Sequence, residues 1–246
     1  MSRPVFYADS LDGASAGATV VIEGAEGRHA SQVVRLRVGE ELDVVDGRGR
    51  RARGVVLDIS RDKVSVTVGE VIDEPESSPR IVVVQALAKG DRGERAVETL
   101  TEVGADVIVP WAATHSVSQW RGDKAERGVD KWLTTARTAA KQARRARVPE
   151  VRSLADIDAV RTLVEAASLA LVLDESADVP IGRIHIPPQG DVVIIVGPEG
   201  GISEAERAAI SGWGAKAVNL GPTVMRTSTA GTAAAAIVLA STARWQ

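Results

Sequence analysis

Two stretches of the chain set glycine-rich turns beside side chains able to do chemistry. In VVIIVGPEGGISEAE (192–206), Glu199 sits among Gly197, Gly200 and Gly201. Glycines let the backbone turn sharply and approach a ligand closely. A carboxylate there suits a ligand that is cationic or rich in hydrogen-bonding groups. This is not a phosphate loop: no Lys-Ser/Thr follows the glycines, Pro198 lacks a donor and Glu199 is negative. In LGPTVMRTSTAGTAAAA (220–236), Gly221-Pro222 leads to Met225 and Arg226, and a small-residue helix starts near Thr227. Two such turns, so close in sequence, read as walls of one ligand pocket.

Basic residues form two further groups. DGRGRRA (46–52) fits a loose dinucleotide pattern but lies between two β-segments, so it reads as a hairpin turn. Its arginines, Arg48, Arg50, Arg51 and the adjacent Arg53, are either a solvated edge or an RNA-backbone contact. RTAAKQARRARVP (137–149) is sharper: Lys131 to Arg147 holds six basic residues and no acidic one. A helix there would place Leu133, Ala136, Ala140 and Ala143 in an apolar stripe beside Arg137, Lys141 and Arg144. A polyanion partner is favoured over a merely solvated face. The three histidines are scattered, with no metal-ligand spacing, and HExxH does not occur.

These residues need elements to hold them. The first seventy residues read as short β-segments, TVVIEG, ELDVVDG, ARGVVLDIS and KVSVTVGEVI, with a short helix around Gly27 to Val34. This is a small barrel-like module, residues 1–72. A linker rich in Pro, Ser and acidic residues follows (73–79). From residue 80 strands alternate with helices. The strands are RIVVVQALA, DVIVP, ASLALVLD, DVVIIVG and KAVNL; helices are expected at 92–103, 122–147, 203–211 and 227–243. Ser203 and Glu206 form a capping box at the third. Such alternation implies an α/β fold with a mainly parallel sheet, whose ligands sit beyond the carboxyl ends of the strands. Both glycine-rich turns occupy that position.

Composition removes several classes. Without cysteine there is no disulfide, thiolate nucleophile or Cys-ligated zinc, which fits a reducing cytosol. The start, MSRPVFYADS, has no apolar run, so a secretory signal is not expected, and the most apolar helix is too short to span a bilayer. With a net charge of −3, nucleic-acid binding must come from local patches. Five Trp, one Tyr and one Phe are too few for a base-stacking platform.

The motifs taken together resemble a known family. ALAKGDRGERAVETLTEVGADVIVP, AAKQARRARVPEV, VGPEGGISEAE and LGPTVMRTSTA occur in that order after HASQVVRLRVGEELDVVDGRG. The pattern resembles the ribosomal RNA small subunit methyltransferase E family and spans essentially the whole chain. The resemblance implies a PUA-like RNA-binding barrel joined to a SPOUT-class domain (80–246) with a C-terminal trefoil knot. It also implies a cytoplasmic homodimer without membrane attachment, using S-adenosyl-L-methionine and no metal to methylate N3 of a uridine in 16S ribosomal RNA. The cofactor would lie among Leu171, Leu173, Gly197, Pro198, Glu199, Gly200, Gly201, Leu220, Gly221, Val224, Met225, Arg226, Thr227 and Ala230. Arg226 would stand beside the reacting centre, with Glu199 nearest for a polar role. RNA contacts are expected at Arg3, His29, Arg35, Arg37, Arg48, Arg50, Lys89, Arg144 and Arg145. The chain departs from the family pattern at Lys141-Gln142-Ala143, often Glu-Gln-Ser; at Ser228, often Glu; and at Thr223, commonly Arg. The rival readings are another methyltransferase of the same fold, for example a ribose 2′-O enzyme, and a non-enzymatic RNA-binding protein.

Overall fold

A computed structural model describes residues 3–245, which divide into two units. The first holds the residues up to Glu76 together with Ala140–Val148. Its strands are Val5–Tyr7 (β1), Thr19–Ile22 (β2), Glu41–Val45 (β3), Arg50–Ile59 (β4) and Val64–Asp73 (β5), in the order β1-β3-β4-β5-β2. Only β1 and β3 pair in parallel. Alternation along β4 and β5 sends Ala52, Val56, Val64, Val66 and Val68 inward, where they meet Phe6, Ile22, Leu42 and Val44. The β4–β5 register shifts between Arg53 and Gly54. A Cβ on Gly54 would stand 2.5 Å from the Thr67 carbonyl oxygen, so the close approach requires glycine.

The short helix expected at 27–34 is two pieces, an α-turn at Gly24–Arg28 (α1) and a π-helix at His29–Val34. Arg35 ends it in the left-handed region (φ 59°).

The second unit, Ser77–Ala139 and Pro149 onward, is the parallel α/β layer. Strands Arg80–Ala86 (β6), Val107–Trp111 (β7), Glu150–Val151 (β8), Leu169–Leu173 (β9), Asp191–Val196 (β10) and Lys216–Val218 (β11) form one sheet, ordered β11-β9-β10-β6-β7-β8. Every pairing is parallel. The helices are Arg92–Val103 (α2), Asp123–Gln142 (α3), Ile157–Ala166 (α4), Glu204–Gly212 (α5) and Thr227–Ala240 (α6). The apolar strands are buried throughout, as a sheet covered on both faces requires. In α6 the small residues let the helix lie close: Gly231 leaves no room for a Cβ without pressing on Val196 and Gln85. Arg244, just beyond α6, binds both carboxylate oxygens of Asp106, at 2.6 and 3.2 Å, and so ties the chain end to the sheet.

Two expectations about α3 need correction. The helix stops at Gln142, not Arg147, because Arg144 turns into the left-handed region (φ 57°) and the Arg145 N–H closes back on Ala140. Residues 140–148 then build the first unit: Ala146 and Val148 pack with Val5, Tyr7 and Val45, and Val148 N–H bonds Gly47. The apolar stripe is also displaced. Leu133 is 45% exposed, and the buried residues are Trp132, Ala136, Ala139 and Ala140.

Candidate active site

The sheet order brings the carboxyl ends of β9, β10 and β11 side by side, and a cleft of about 410 Å³ opens beyond them. Its size is within the usual range for a small-molecule site. Three loops wall it, Leu173 to Glu175, Gly197 to Ile202, and Leu220 to Ala230. Of the residues singled out from the sequence, Leu173, Gly197, Pro198, Glu199, Gly201, Leu220, Gly221, Val224, Met225, Arg226, Thr227 and Ala230 line it. Two expected residues do not. Leu171 lies fully buried within β9, short of the strand end. Gly200 turns away: a Cβ there would meet His115, 3.1 Å from its Cβ and 3.3 Å from its carbonyl oxygen.

The lining also includes Arg92, Glu175, Ile202 and Arg207, which sequence reasoning missed. Arg92 donates to Glu199 Oε1 at 3.0 Å, and the Lys89 N–H donates to the same oxygen at 3.1 Å. Burial alone would raise the Glu199 carboxyl. Its own backbone N–H, that of Lys89 and the Arg92 guanidinium outweigh this and hold it below the usual carboxylate range. Glu199 is therefore held as an anion near neutral pH. Asp174 behaves alike: burial pushes it up, but Ser176 and Arg207, the latter at 3.0 Å, bring it down.

A second layer fixes the walls. Gln85, wholly buried, donates from Nε2 to the Thr227 hydroxyl (3.2 Å) and carbonyl (3.3 Å), and the Thr227 hydroxyl donates to the Gly197 carbonyl. The start of α6 is thus pinned to the loop after β10. A lone glutamine inside the apolar run of β6 was the signal for it. His115 Nδ1 donates to the Gly200 carbonyl at 3.2 Å. Glu206 closes the capping box with Ser203 and also accepts the Thr114 N–H at 2.8 Å. Hydrogen bonds from Ser203 and Thr114 outweigh burial and depress the Glu206 carboxyl as well.

Arg226 is exposed, and its backbone precedes the first turn of α6. Its carbonyl accepts from Thr229 and Ala230 while its side chain stands at the cleft. Its guanidinium is in no ion pair among the described residues, and a cation so placed can stabilise negative charge developing on a bound group.

The basic residues proposed for RNA divide sharply. Arg3 pairs with Glu41 at 2.9 Å and Arg50 with Asp73 at 3.4 Å; their neighbours Arg51 and Arg53 pair with Asp43, Glu74 and Glu70. Arg145 is half-buried and engaged, and His29 packs against the Phe6 ring. By contrast Arg35, Arg37, Arg48, Lys89 and Arg144 are exposed, and none of them belongs to an ion pair among the described residues.

The chain is also similar to known proteins. An RNA methyltransferase domain family matches residues 75–239, and an RNA methyltransferase PUA domain family matches residues 22–69. A ribosomal RNA small subunit methyltransferase E of Mycobacterium tuberculosis is 42% identical over 249 residues, covering all of this chain and 94% of that relative. That of Bacillus subtilis is 29% identical and covers 86% of each chain. The crystal structure of the Neisseria gonorrhoeae enzyme of that name, bound to S-adenosyl methionine, matches with a TM-score of 0.84 and 26% identity. It covers 97% of this chain and 98% of that one. This chain belongs to the ribosomal RNA small subunit methyltransferase E family.

Proposed function

We propose that the chain transfers a methyl group from S-adenosylmethionine to N3 of a uridine in small-subunit ribosomal RNA. The observation that carries this is the cleft itself, closed by three loops at the ends of β9, β10 and β11 and overlooked by Arg226, which is in no ion pair among the described residues. Its residues suit the cofactor: Leu173, Ile202, Leu220 and Ala230 offer apolar walls for an adenine, and Asp174 and Glu199 are carboxylates able to face a cationic ligand. The bound cofactor supplies an already activated methyl on a sulfonium. The chain's own task is position and charge. Loop bonds to Glu199 and Thr227 hold the cradle, and correct placement of reactants can contribute roughly 7–11 kcal/mol. Arg226 stabilises negative charge on the uracil as N3 loses its proton to solvent. N3 lies on the pairing edge, so the target base must be unpaired or flipped out.

The finer features belong to the same reading. The segment from β9 to α6 forms a SPOUT-type trefoil knot, supported by β11 pairing outside β9 while α6 returns to pack on β10 and β6. Knots are rare, so an experimental chain trace without one would overturn this. The active form is a cytoplasmic homodimer, and a monomeric mass by light scattering at micromolar concentration would refute it. The barrel segment 1–72, within the first unit, is PUA-like and grips RNA through Arg35, Arg37 and Arg48, which form no ion pair among the described residues, with residues 73–79 as linker.

The central test incubates the protein and labelled S-adenosylmethionine with small ribosomal subunits, then digests the RNA for mass spectrometry. Methyl on uracil N3 is expected. Methyl on a ribose hydroxyl, or RNA binding without transfer, would replace this reading by one of its rivals.

A further inference from the structure

Between β7 and α3 the second unit has a shallow depression of about 560 Å³ lined by Gln119, Arg121, Asp123, Lys124 and Arg127. Three cations share it with one carboxylate. All three cations are exposed and none is in an ion pair among the described residues; Arg127 Nε bonds only the Asp123 carbonyl, at 3.2 Å. Lys124 and Arg127, three apart on α3, share one face of the helix.

The loop that carries these charges is held in place. Trp120 packs edge-on to the buried Trp132, ring centroids 5.3 Å apart. It also covers Gly128, where a Cβ would stand 2.6 Å from the indole. At its other end the same loop is fastened to the cleft, by His115 to Gly200 and by Thr114 to Glu206. Arg121 is six residues from His115, so at most about 20 Å of chain separates it from the cleft wall.

We propose that Arg121, Lys124 and Arg127 bind the phosphate backbone of the RNA strand flanking the target nucleotide. An exposed, unpaired and pre-positioned group of cations is complementary to a row of phosphodiesters, and its loop is continuous with the cleft wall. This inference rests on the RNA-modifying reading above but concerns a surface separate from the cleft.

The test is filter binding of full-length protein to small-subunit ribosomal RNA over a salt series, comparing wild type with the triple variant Arg121→Ala, Lys124→Ala, Arg127→Ala. For a single strand each lost phosphate contact should lower the slope by about 0.7, and so weaken binding at 0.1 M salt by roughly fivefold. Three contacts give a slope smaller by about 2 and affinity lower by roughly 100-fold. The KM for ribosomal subunits should rise with it, while the calorimetric heat of S-adenosylmethionine binding stays. A second variant, Arg121→Lys with Arg127→Lys, should keep the slope, because a phosphate contact needs the charge. An unchanged slope in the triple variant overturns the proposal, as does a changed light-scattering mass with RNA affinity intact, which would assign the patch to contact between copies. Wild-type protein that binds RNA with this salt slope yet transfers no methyl would remove the functional reading and leave the surface standing.

Discussion

The two long walls of the cleft are built differently. The Gly197–Ile202 wall is clamped from three directions: Arg92 and Lys89 hold Glu199, His115 holds Gly200, and the capping box with Thr114 fixes the turn into α5. Among the described residues the Leu220–Arg226 wall is secured only at its ends. Asn219 bonds the Ala177 carbonyl (2.6 Å) and the Gly221 N–H, and Thr227 bonds Gly197. Between them Val224 is 79% exposed and Met225 39%. The clamped wall is a prepared cradle, whereas the open wall presents apolar and cationic side chains that gain partners only from a ligand. Preorganised dipoles and a free cation do separate jobs in a transfer reaction.

Substitutions can test that contrast. The largest effect is expected at Arg226→Ala, which should cut single-turnover methyl transfer about 10²–10³-fold. Its calorimetric cofactor affinity should remain near that of wild type, because the charge acts on the transition state. Normal methylation by this variant would remove Arg226 from the mechanism.

Gly200→Val comes next. Its branched side chain would press on His115, so overpacking should cost roughly 1–3 kcal/mol of stability and loosen the cradle. Thermal melting should fall and cofactor binding weaken together. Loss of cofactor binding with an unchanged melting temperature would instead mean that Gly200 faces the ligand. Glu206→Ala removes the carboxylate half of the capping box, which accepts from the Ser203 N–H and hydroxyl, and the bond to Thr114, at about 1–2 kcal/mol. Chemical denaturation measures it, and a loss near zero would show that the clamp does not depend on this carboxylate.

Acid should also act on the clamped wall. Glu199, Asp174 and Glu206 all titrate lower in the folded chain than in the unfolded one, so their stabilisation is complete above the ordinary carboxylate range, about pH 4. It is lost as pH falls through the depressed folded values. Stability should therefore hold level from neutrality to about pH 5 and decline below, and Glu199→Gln should flatten part of that acid limb. An acid limb identical to wild type would argue against an ionised Glu199 clamp. The smallest stability change belongs to Val224→Ala on the open wall, within about 0.5 kcal/mol. Cofactor affinity should nonetheless drop about three- to tenfold, consistent with the loss of one or two buried methylene equivalents. Unchanged affinity would place Val224 outside the ligand contact.

Much of this site was legible in the residues. The glycine turns, the apolar strand runs before them and the Ser203–Glu206 box are local signals, and local sequence sets turn conformation and helix starts. Chain order then located Gly197, Glu199, Gly221 and Arg226 at strand ends without further help. What neighbours what was a different matter. Arg92 reaches Glu199 across 107 residues, and Gln85 reaches Thr227 across 142. No spacing encodes either pair: the first follows from β10 lying beside β6 in the sheet, the second from α6 packing on β6 and β10.

The basic residues make the same point from the other side. Sequence alone showed a run of arginines at 48–53 and another at 144–147. Only folding showed that Arg50, Arg51 and Arg53 meet carboxylates of β3, β5 and the residues just after β5. Residues 140–148 likewise leave the helix to complete the first unit's core. Charge and periodicity are properties of one segment. Whether a charge is neutralised, or an apolar face covered, depends on a second segment far along the chain, and tertiary structure alone selects that partner.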